Sequence, residues 1–583
     1  MKRWREYFPN WPGQIVSLDS WIEKKQGLTI ADIFKNQGET SFRKMEEEAL
    51  IEISNLYQNQ DLVVDVGGGF QGRAPEDFQA LWLQRRVDLS QAQFLDRPNL
   101  DGQLKISAQR FQERQLRFAE MATYVFELDE GDLANSGEKV FIQELISESI
   151  KGISLSNSMS SFSVFDYQGF KLQTRSLPWT TTLLNDHQAQ SVSIQPWGSS
   201  RPYEWRDDLI SHQAMREGLA NTPLALISMR SRGRSKQTLQ LVESGNFLWD
   251  WPLEWGRNSE APLLSLHARE DNLLQTLRQL PQTDQKIKLA ISIHSFAELE
   301  LGYRWYLENP EERSFLPSSC DGRWQWFRLL TGFQMPVSFL RNGQSSHLDQ
   351  PTLLQVLNFQ HSFKKFAAIL GSPVRHSLTP SFHRDYFKIK KANTLAVDLK
   401  EDEFDQALFF LKKMGLCYAA VTSPLKEKAG QYFNTRAFNT LYLSEDGDRV
   451  MSTDEFGFQA LLKTVTPTKN IVVWGGGGVI QSIEPFLPGA AYFSSRTGLQ
   501  KSGPEINNPQ HLVWAVGTDA FSKEGVFPPE HWRPHWVTDL NYTLDSPAIA
   551  YANKLGCQYQ SGLVMFKAQA LKQQEFWDEC ERK

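Results

Sequence analysis

Apolar positions along this chain fall into short runs broken by glycine, serine and charge. Ile471 to Trp474 form an uninterrupted apolar run, which predicts a buried strand. Four glycines, Gly475, Gly476, Gly477 and Gly478, follow it, and Val479 through Leu487 take up helical spacing. A second strand is predicted at Ala491 to Ser494. Strand, glycine turn and helix in that order bring free backbone N–H groups and a positive helix end to one point, which suits a pyrophosphate. An ordinary glycine-rich turn gives the same short pattern. Upstream, an apolar strand ends at Gly67, Gly68 and Gly69, a helix is predicted over Glu138 to Ile150, and a helical run QPTLLQVLNF precedes a strand at AAIL. The serine-rich stretch from Ser154 to Ser163 and the residues near 359 to 365 mark boundaries, and no internal repeat is visible.

A chain of 583 residues has room for about three domains, each with its own core. Its net charge of -6 and pI near 6.1 argue against nucleic acid or an anionic membrane as partner and favour small metabolites. Cys320, Cys417, Cys557 and Cys580 are far apart and show no zinc or disulfide spacing, so a reducing compartment without a bound metal is expected. The opening MKRWREYFPNWPGQIV has no apolar stretch of signal-peptide length, and no later run is long enough to span a bilayer; a cytoplasmic location is expected.

Chemistry enters through ordered signatures near the C-terminus: GSPVRHSLTP, AVTSPLKEK, FNTL, STDEFG and WGGGGV, followed by SSRT. Together they read as a nicotinamide-dependent oxidoreductase, and from about Phe366 onward the chain resembles shikimate dehydrogenase. The resemblance implies a substrate-binding domain at 363–465, then a Rossmann NADP-binding domain at 466–583 that ends in a substrate-facing helix. It places Ser377 and Thr379 on the substrate carboxylate, and Thr422, Asn439 and Gln569 among the substrate ligands. Tyr542, also in the substrate site, is placed near the nicotinamide. Lys426 and Asp454 align with the catalytic pair. When hydride reaches the carbonyl carbon of 3-dehydroshikimate, the oxygen gains charge and needs a proton, which a lysine oriented by a carboxylate can give. The glycines at 475–478 and Val479 would hold the pyrophosphate. Ser495, Arg496 and Thr497 stand where an NAD site would place an acid; an arginine suits a 2′-phosphate, so NADP(H) is expected rather than NAD. Ala420, Ser452 and Arg384 replace asparagines usual in the family, which leaves quinate open as a substrate.

Residues 1–152 resemble shikimate kinase through LDSWIEKKQGLTIADIF, GETSFRKMEEEAL, VVDVGGGF, DRPNL and ERQLRFAEMA. The resemblance puts Asp19 at the reacting hydroxyl, Arg43 on the shikimate carboxylate, Gly67, Gly68 and Gly69 at a ligand turn, and Arg97 and Arg114 at the lid and a late helix. Arg43 also reads as a plain partner of Glu46 on one helix face. Nothing before Asp19 has the GxxxxGK[ST] phosphate loop, and Ser17 stands where a magnesium-binding acid is usual. As written, ATP and magnesium binding are not expected here.

The middle, residues 153–362, resembles type I 3-dehydroquinate dehydratase, a (β/α)8 barrel, through YEWRDDL, ALISMRS, LLSLHARE, KIKLA, WFRLL and DQPTLL. The resemblance makes Lys288 the imine-forming amine and His267 the proton carrier, with Glu204, Arg206, Arg230, Arg328 and Gln350 binding substrate. SRGRSK replaces the glutamate and paired glycines usual after Arg230. The whole therefore reads as an α/β multidomain, fused shikimate-pathway enzyme, similar to the C-terminal part of the fungal pentafunctional protein. Two other readings stay open: a dehydrogenase with inert front domains, and a metabolite-binding regulator without catalysis. A homodimer is also open.

Overall fold

A computed structural model describes residues 14–57, 62–67, 70–72, 81–85, 117–118, 124–128, 180–182, 186, 189, 203–220, 225–245, 247–268, 272–340, 347–351, 355, 359–360, 362–374, 377–463, 470–476, 483–517, 521, 525–542 and 546–582. Two compact units result; the first closes at Phe359, and the second runs from Gln360 and takes in Ser295–Ala297.

In the first unit, strand β1 (Gln14–Ser17) lies parallel to β2 (Leu62–Asp65). Ser17 then caps helix α1 (Leu18–Gln26), its hydroxyl accepting from Ser20 N–H, and Gly27 ends it at φ 66°, the left-handed backbone that glycine allows. Thr29 caps α2 (Ile30–Leu56), which bends at Gly38, φ 78°. Leu18, Ile22, Ile33, Phe42 and Ile53 bury one face of the pair beside the strands. Strands β3 (Leu81–Arg85) and β4 (Tyr124–Leu128) form a separate parallel pair.

Further along the same unit are β5 (Thr180–Thr182), β6 (Tyr203–Arg206), β7 (Ala225–Ser228), β8 (Leu248–Pro252), β9 (Leu263–Ala268), β10 (Lys286–Ser292), β11 (Arg313–Ser318) and β12 (Phe339–Leu340). They make one eight-stranded parallel sheet in which each strand from β5 to β11 neighbours the next and β12 returns to pair with β5. Val337, just before β12, donates its N–H to Ser314 Oγ of β11 at 2.9 Å. Side chains alternate between the two faces of a strand. Trp205, Ile227, Trp249 and Leu264 accordingly meet in one apolar cluster, while Glu204, Ser228, Asp250 and Ser265, one residue away in each strand, carry buried polar groups on the other face. Helix α3 (Gln325–Thr331) follows β11.

The second unit has two sheets. Strands β13 (Lys365–Gly371), β14 (Ala392–Asp398), β15 (Leu416–Val421), β16 (Thr440–Tyr442) and β17 (Arg449–Met451) run in the order β14-β13-β15-β16-β17, with the last two pairings antiparallel. Helices α4 (Thr379–Ile389), α5 (Lys426–Tyr432) and α6 (Asp454–Leu462) leave its strand ends. The other sheet holds β18 (Ile471–Gly475), β19 (Ala491–Phe493), β20 (Gln500–Ser502), β21 (His511–Ala515), β22 (Trp536–Asp539) and β23 (Gln558–Gln560) in the order β20-β19-β18-β21-β22-β23. The chain moves from β18 to β19 on one side and to β21 on the other, so a crevice opens at the carboxyl ends of β18 and β21, the usual ligand position in such sheets. A final helix, α7 (Leu563–Arg582), packs back on α6 and α4.

The predicted strands at 471–474 and 491–494 appear as β18 and β19, and AAIL lies inside β13. The predicted helix at 479–487 is different. Residues 479–482 lie outside the described ones and Ile483 is helical; past it only a 3₁₀ turn, Glu484–Phe486, forms. Pro485 supplies no N–H, and Pro488 keeps Leu487 out of helical backbone, at φ -125° and ψ 56°. The helix predicted at 138–150 lies outside the described residues, as does most of QPTLLQVLNF.

Candidate functional site

Lys426 opens α5 because β15 stops at Val421 and Thr422 turns the chain, its N–H held by Leu370 O at 2.9 Å. Asp454 opens α6. Its carboxylate is gripped by Lys426 Nζ at 2.5 Å on Oδ2, and by Asn439 Nδ2 at 2.9 Å and Gln569 Nε2 at 2.7 Å on Oδ1. Asn439 is itself fixed: its Oδ1 accepts from Thr453 N–H at 2.7 Å and from the hydroxyls of Thr440 and Thr453 at 3.1 Å. The lysine side chain remains 25% exposed while that of the aspartate is only 6% exposed. An ammonium so placed faces the open side with a buried carboxylate behind it, which is the arrangement a proton donor needs. Gln569 reaches this point because Gly457 has no side chain; a Cβ there would lie 2.3 Å from Gln569 Cγ and 2.7 Å from Met565 O.

A second group lies in the same unit. Ser377 donates its hydroxyl to Thr379 Oγ1 at 3.1 Å and accepts from Thr379 N–H at 3.2 Å. The phenol of Tyr542 meets the Ser377 hydroxyl and Leu378 N–H, its ring 5.0 Å from that of Phe566, and burial pushes it above its ordinary range. Ala420, where the dehydrogenase family usually has asparagine, packs with Ile369 and Val374.

At the crevice, Gly475 and Gly476 have φ 90° and 96°, and a Cβ on Gly475 would lie 2.3 Å from Val516 Cγ2. Only glycine fits that position, and its bare backbone suits close approach of a dinucleotide. Gly477, Gly478 and Val479 lie outside the described residues. After β19, Ser494 Oγ accepts the N–H groups of Arg496 and Thr497, and Ser495 O accepts Val526 N–H at 2.7 Å. This turn presents Arg496 on the exposed surface.

In the eight-stranded sheet the polar face converges on Asp250, a residue that motif reading missed. Arg230 grips it with two nitrogens at 3.0 and 2.9 Å, Lys288 Nζ bonds to Oδ2, and Ser228 donates to it at 3.2 Å and to Glu204 at 2.7 Å. Burial by itself would raise the Asp250 carboxyl; Arg230 and Lys288 outweigh it and hold the group well below its ordinary range. Burial lowers the Lys288 ammonium, opposed by Asp250 and helped by Arg230. Lys288 also sits 4.9 Å from the Phe339 ring centroid. His267 lies one inward position beyond Ser265 on β9; close protein surroundings, then the charges of Arg230 and Lys288, keep its imidazole well below its ordinary range, although solvent still reaches it. Crowding without full occlusion is expected where an open sheet face forms a recess.

Other predicted ligands stand nearby or elsewhere. Arg206 pairs with Asp208 at 2.7 Å. Arg328, on α3, is 4% exposed, and burial lowers it to about 10 against the pull of Asp349 and Glu204. Gln350 is buried, its carbonyl accepting from Gln325 Nε2 at 3.0 Å. The SRGRSK turn is held by Asp207, which accepts the N–H groups of Arg230 and Ser231 at 2.6 and 2.9 Å, while Arg234 bonds to Asp207 O at 2.8 Å.

In the N-terminal segment Asp19 faces Gly67, whose Cβ would lie 3.4 Å from its carboxylate oxygens. Burial, Asp65 and Glu23 raise that carboxyl, with Arg43 opposing. Arg43 is taken by Glu46 at 2.7 Å and Glu39 at 2.9 Å, so the plain helix-face pairing is present. Gly68, Gly69, Arg97 and Arg114 lie outside the described residues. Among the described residues no helix is long and apolar enough to cross a membrane, and no cluster of three metal-ligating side chains occurs.

Two segments of the chain match enzyme families. Residues 14–143 match the model for shikimate kinase, and residues 369–439 match that for the shikimate dehydrogenase substrate binding domain. Two segments similar to shikimate-pathway enzymes are thus joined in one polypeptide. In particular, 255 residues are 28% identical to the shikimate dehydrogenase (NADP(+)) of Moorella thermoacetica, covering 36% of this chain and 86% of that protein. A further 57 residues are 42% identical to the shikimate kinase of Streptococcus thermophilus, covering 10% of this chain and 34% of that protein. Among solved structures, the dehydroquinate dehydratase and shikimate dehydrogenase of S. pombe AroM aligns over 70% of this chain and 97% of its own, at 18% identity and a TM-score of 0.27.

Proposed function

We propose that residues 363–583 reduce 3-dehydroshikimate to shikimate, 363–465 holding the substrate and 466–583 the NADPH. The observation that carries this is the Asp454 carboxylate bound at once by Lys426, Asn439 and Gln569. A bound NADPH would supply the hydride. Lys426 gives a proton to the developing alkoxide, Asp454 keeps the amine aimed, and Ser377 and Thr379 hold the carboxylate end. The glycine turn at Gly475 and the exposed Arg496 support a phosphate-rich dinucleotide.

The middle segment, 153–362, we read as a (β/α)8 barrel that dehydrates 3-dehydroquinate. Support comes from strands that neighbour in chain order, from β12 returning to β5, and from a buried lysine whose ammonium is disfavoured. A neutral Lys288 attacks the substrate ketone, losing water as the imine forms; His267 then takes the adjacent proton and returns it to the departing hydroxyl, and water finally hydrolyses the imine to free the product ketone and the lysine amine. Residues 1–152 we read as a kinase-like domain.

Purified protein given 3-dehydroquinate and NADPH should lose the near-ultraviolet absorbance of NADPH. If it does not, 3-dehydroshikimate in place of 3-dehydroquinate isolates the reductase; silence there overturns the dehydrogenase reading. A second reading, a dehydrogenase with an inert middle segment, is favoured by the ion pair that occupies Lys288. Borohydride trapping with 3-dehydroquinate separates the two, because only an imine former is covalently labelled.

A further inference from the structure

Asn541 carries more structural ties than a loop residue two positions beyond a strand needs. Its N–H and its Nδ2 both donate to Asp539 Oδ1, at 2.9 and 2.8 Å. The same Nδ2 donates to Val516 O at 2.8 Å, and the Val516 side chain is the group on which a Cβ at Gly475 would land. Its carbonyl accepts Gly562 N–H at 2.9 Å, immediately before the helix that carries Gln569. Asp539, fully buried, is braced from its other oxygen by the Tyr559 phenol at 2.9 Å. The next residue along, Tyr542, reaches Ser377 and Leu378.

Three parts of the proposed reductase site therefore meet at one residue: the glycine turn through its side chain, the start of the Gln569 helix through its carbonyl, and the tyrosine set against the Ser377 hydroxyl as its neighbour in the chain. We infer that Asn541 is a positioning residue that holds the Tyr542 phenol over the substrate's carboxylate anchor and ties that placement to the strand ends framing the nucleotide crevice. The inference rests on the dehydrogenase reading. Asn541 touches no reacting atom; it acts through Tyr542, whose own freedom its bonds remove. Asparagine suits the post because one amide nitrogen serves two acceptors at once.

A double-mutant cycle read by shikimate oxidation with NADP+ tests this. Asn541→Ala should raise KM for shikimate about tenfold with kcat changed less, the order expected for losing a partly buried pair of hydrogen bonds. In a Tyr542→Phe background the same substitution should change KM less than about twofold, since residues acting as one unit are not additive. Tyr559→Phe, which braces Asp539 but leaves every Asn541 bond in place, should lower thermal stability and leave KM unaltered. Should Asn541→Ala fail to fold, Asn541→Ser serves in its place. Turnover in the parent protein with additive effects, or an unmoved KM, overturns the inference alone. No turnover in the parent protein overturns the dehydrogenase reading and the inference with it.

Discussion

Two lysine–aspartate pairs define this molecule, and they are built to opposite ends. Lys288 and Asp250 are shut inside the eight-stranded sheet, with side-chain exposures of 2% and 0% and a guanidinium pressed on the same carboxylate. Lys426 and Asp454 sit at helix starts, the lysine a quarter exposed, with only neutral amides sharing the carboxylate. Burial beside a second cation disfavours an ammonium, so Lys288 is tuned toward a free amine that can attack carbon. A partly exposed ammonium aimed by one buried carboxylate is the geometry of the proton donor that we propose Lys426 to be. In the proposed reactions the same two residue types would serve as nucleophile or acid according to what surrounds them.

The largest expected effect breaks the first pair. Lys288→Ala should abolish borohydride trapping by 3-dehydroquinate and leave 3-dehydroshikimate reduction intact; retained labelling would remove Lys288 from its role. Gly457→Ala tests the scaffold of the second pair. The new methyl must displace Gln569 or the backbone of the last helix, at a cost of about 1–3 kcal/mol, read as a lower melting temperature together with slower reduction. An unchanged melting temperature would show that the two helices are not fixed as described.

The smallest effect concerns His383, buried between the two glutamines Gln573 and Gln574 of the last helix at 3.1 and 3.0 Å. Burial lowers its imidazole from 6.5 to about 4, with Gln573 opposing. The unfolded chain takes up a proton near the upper value while the folded chain resists it until the lower one. This contribution is therefore present above pH 6.5 and is lost as pH falls toward about 4. His383→Gln should flatten the fall in melting temperature over that window relative to the parent chain; parallel profiles would contradict it.

How much of this was legible depended on distance along the chain. The glycine turn, its two strands, and the Lys426, Asn439, Asp454 set lie in short signatures at strand and helix ends, where local spacing carries information. Asp250 did not stand out, because its partners Arg230 and Lys288 are 20 and 38 residues away and only folding brings them together. A signal existed: it is the lone acid in LWDWP, on the same strand parity as its polar neighbours. The expected end of the helix at 479–487 ran too far because Pro485 and Pro488 stop regular helix after Ile483. Arg43 was ambiguous between ligand and helix pairing, and the two acids that take it stand one turn away on either side. Asn541 escaped notice because its bonds run to Val516 and Gly562, which no motif connects.

The proposed reduction depends most on the Asp454 carboxylate at the start of α6. Asp454→Asn keeps the shape and the amide contacts but removes the charge that aims Lys426. NADPH consumption with 3-dehydroshikimate, measured side by side, should be rapid in the parent protein and roughly 10²–10⁴-fold slower in the variant, the range for losing acid–base assistance. Equal rates in the two proteins would contradict the account.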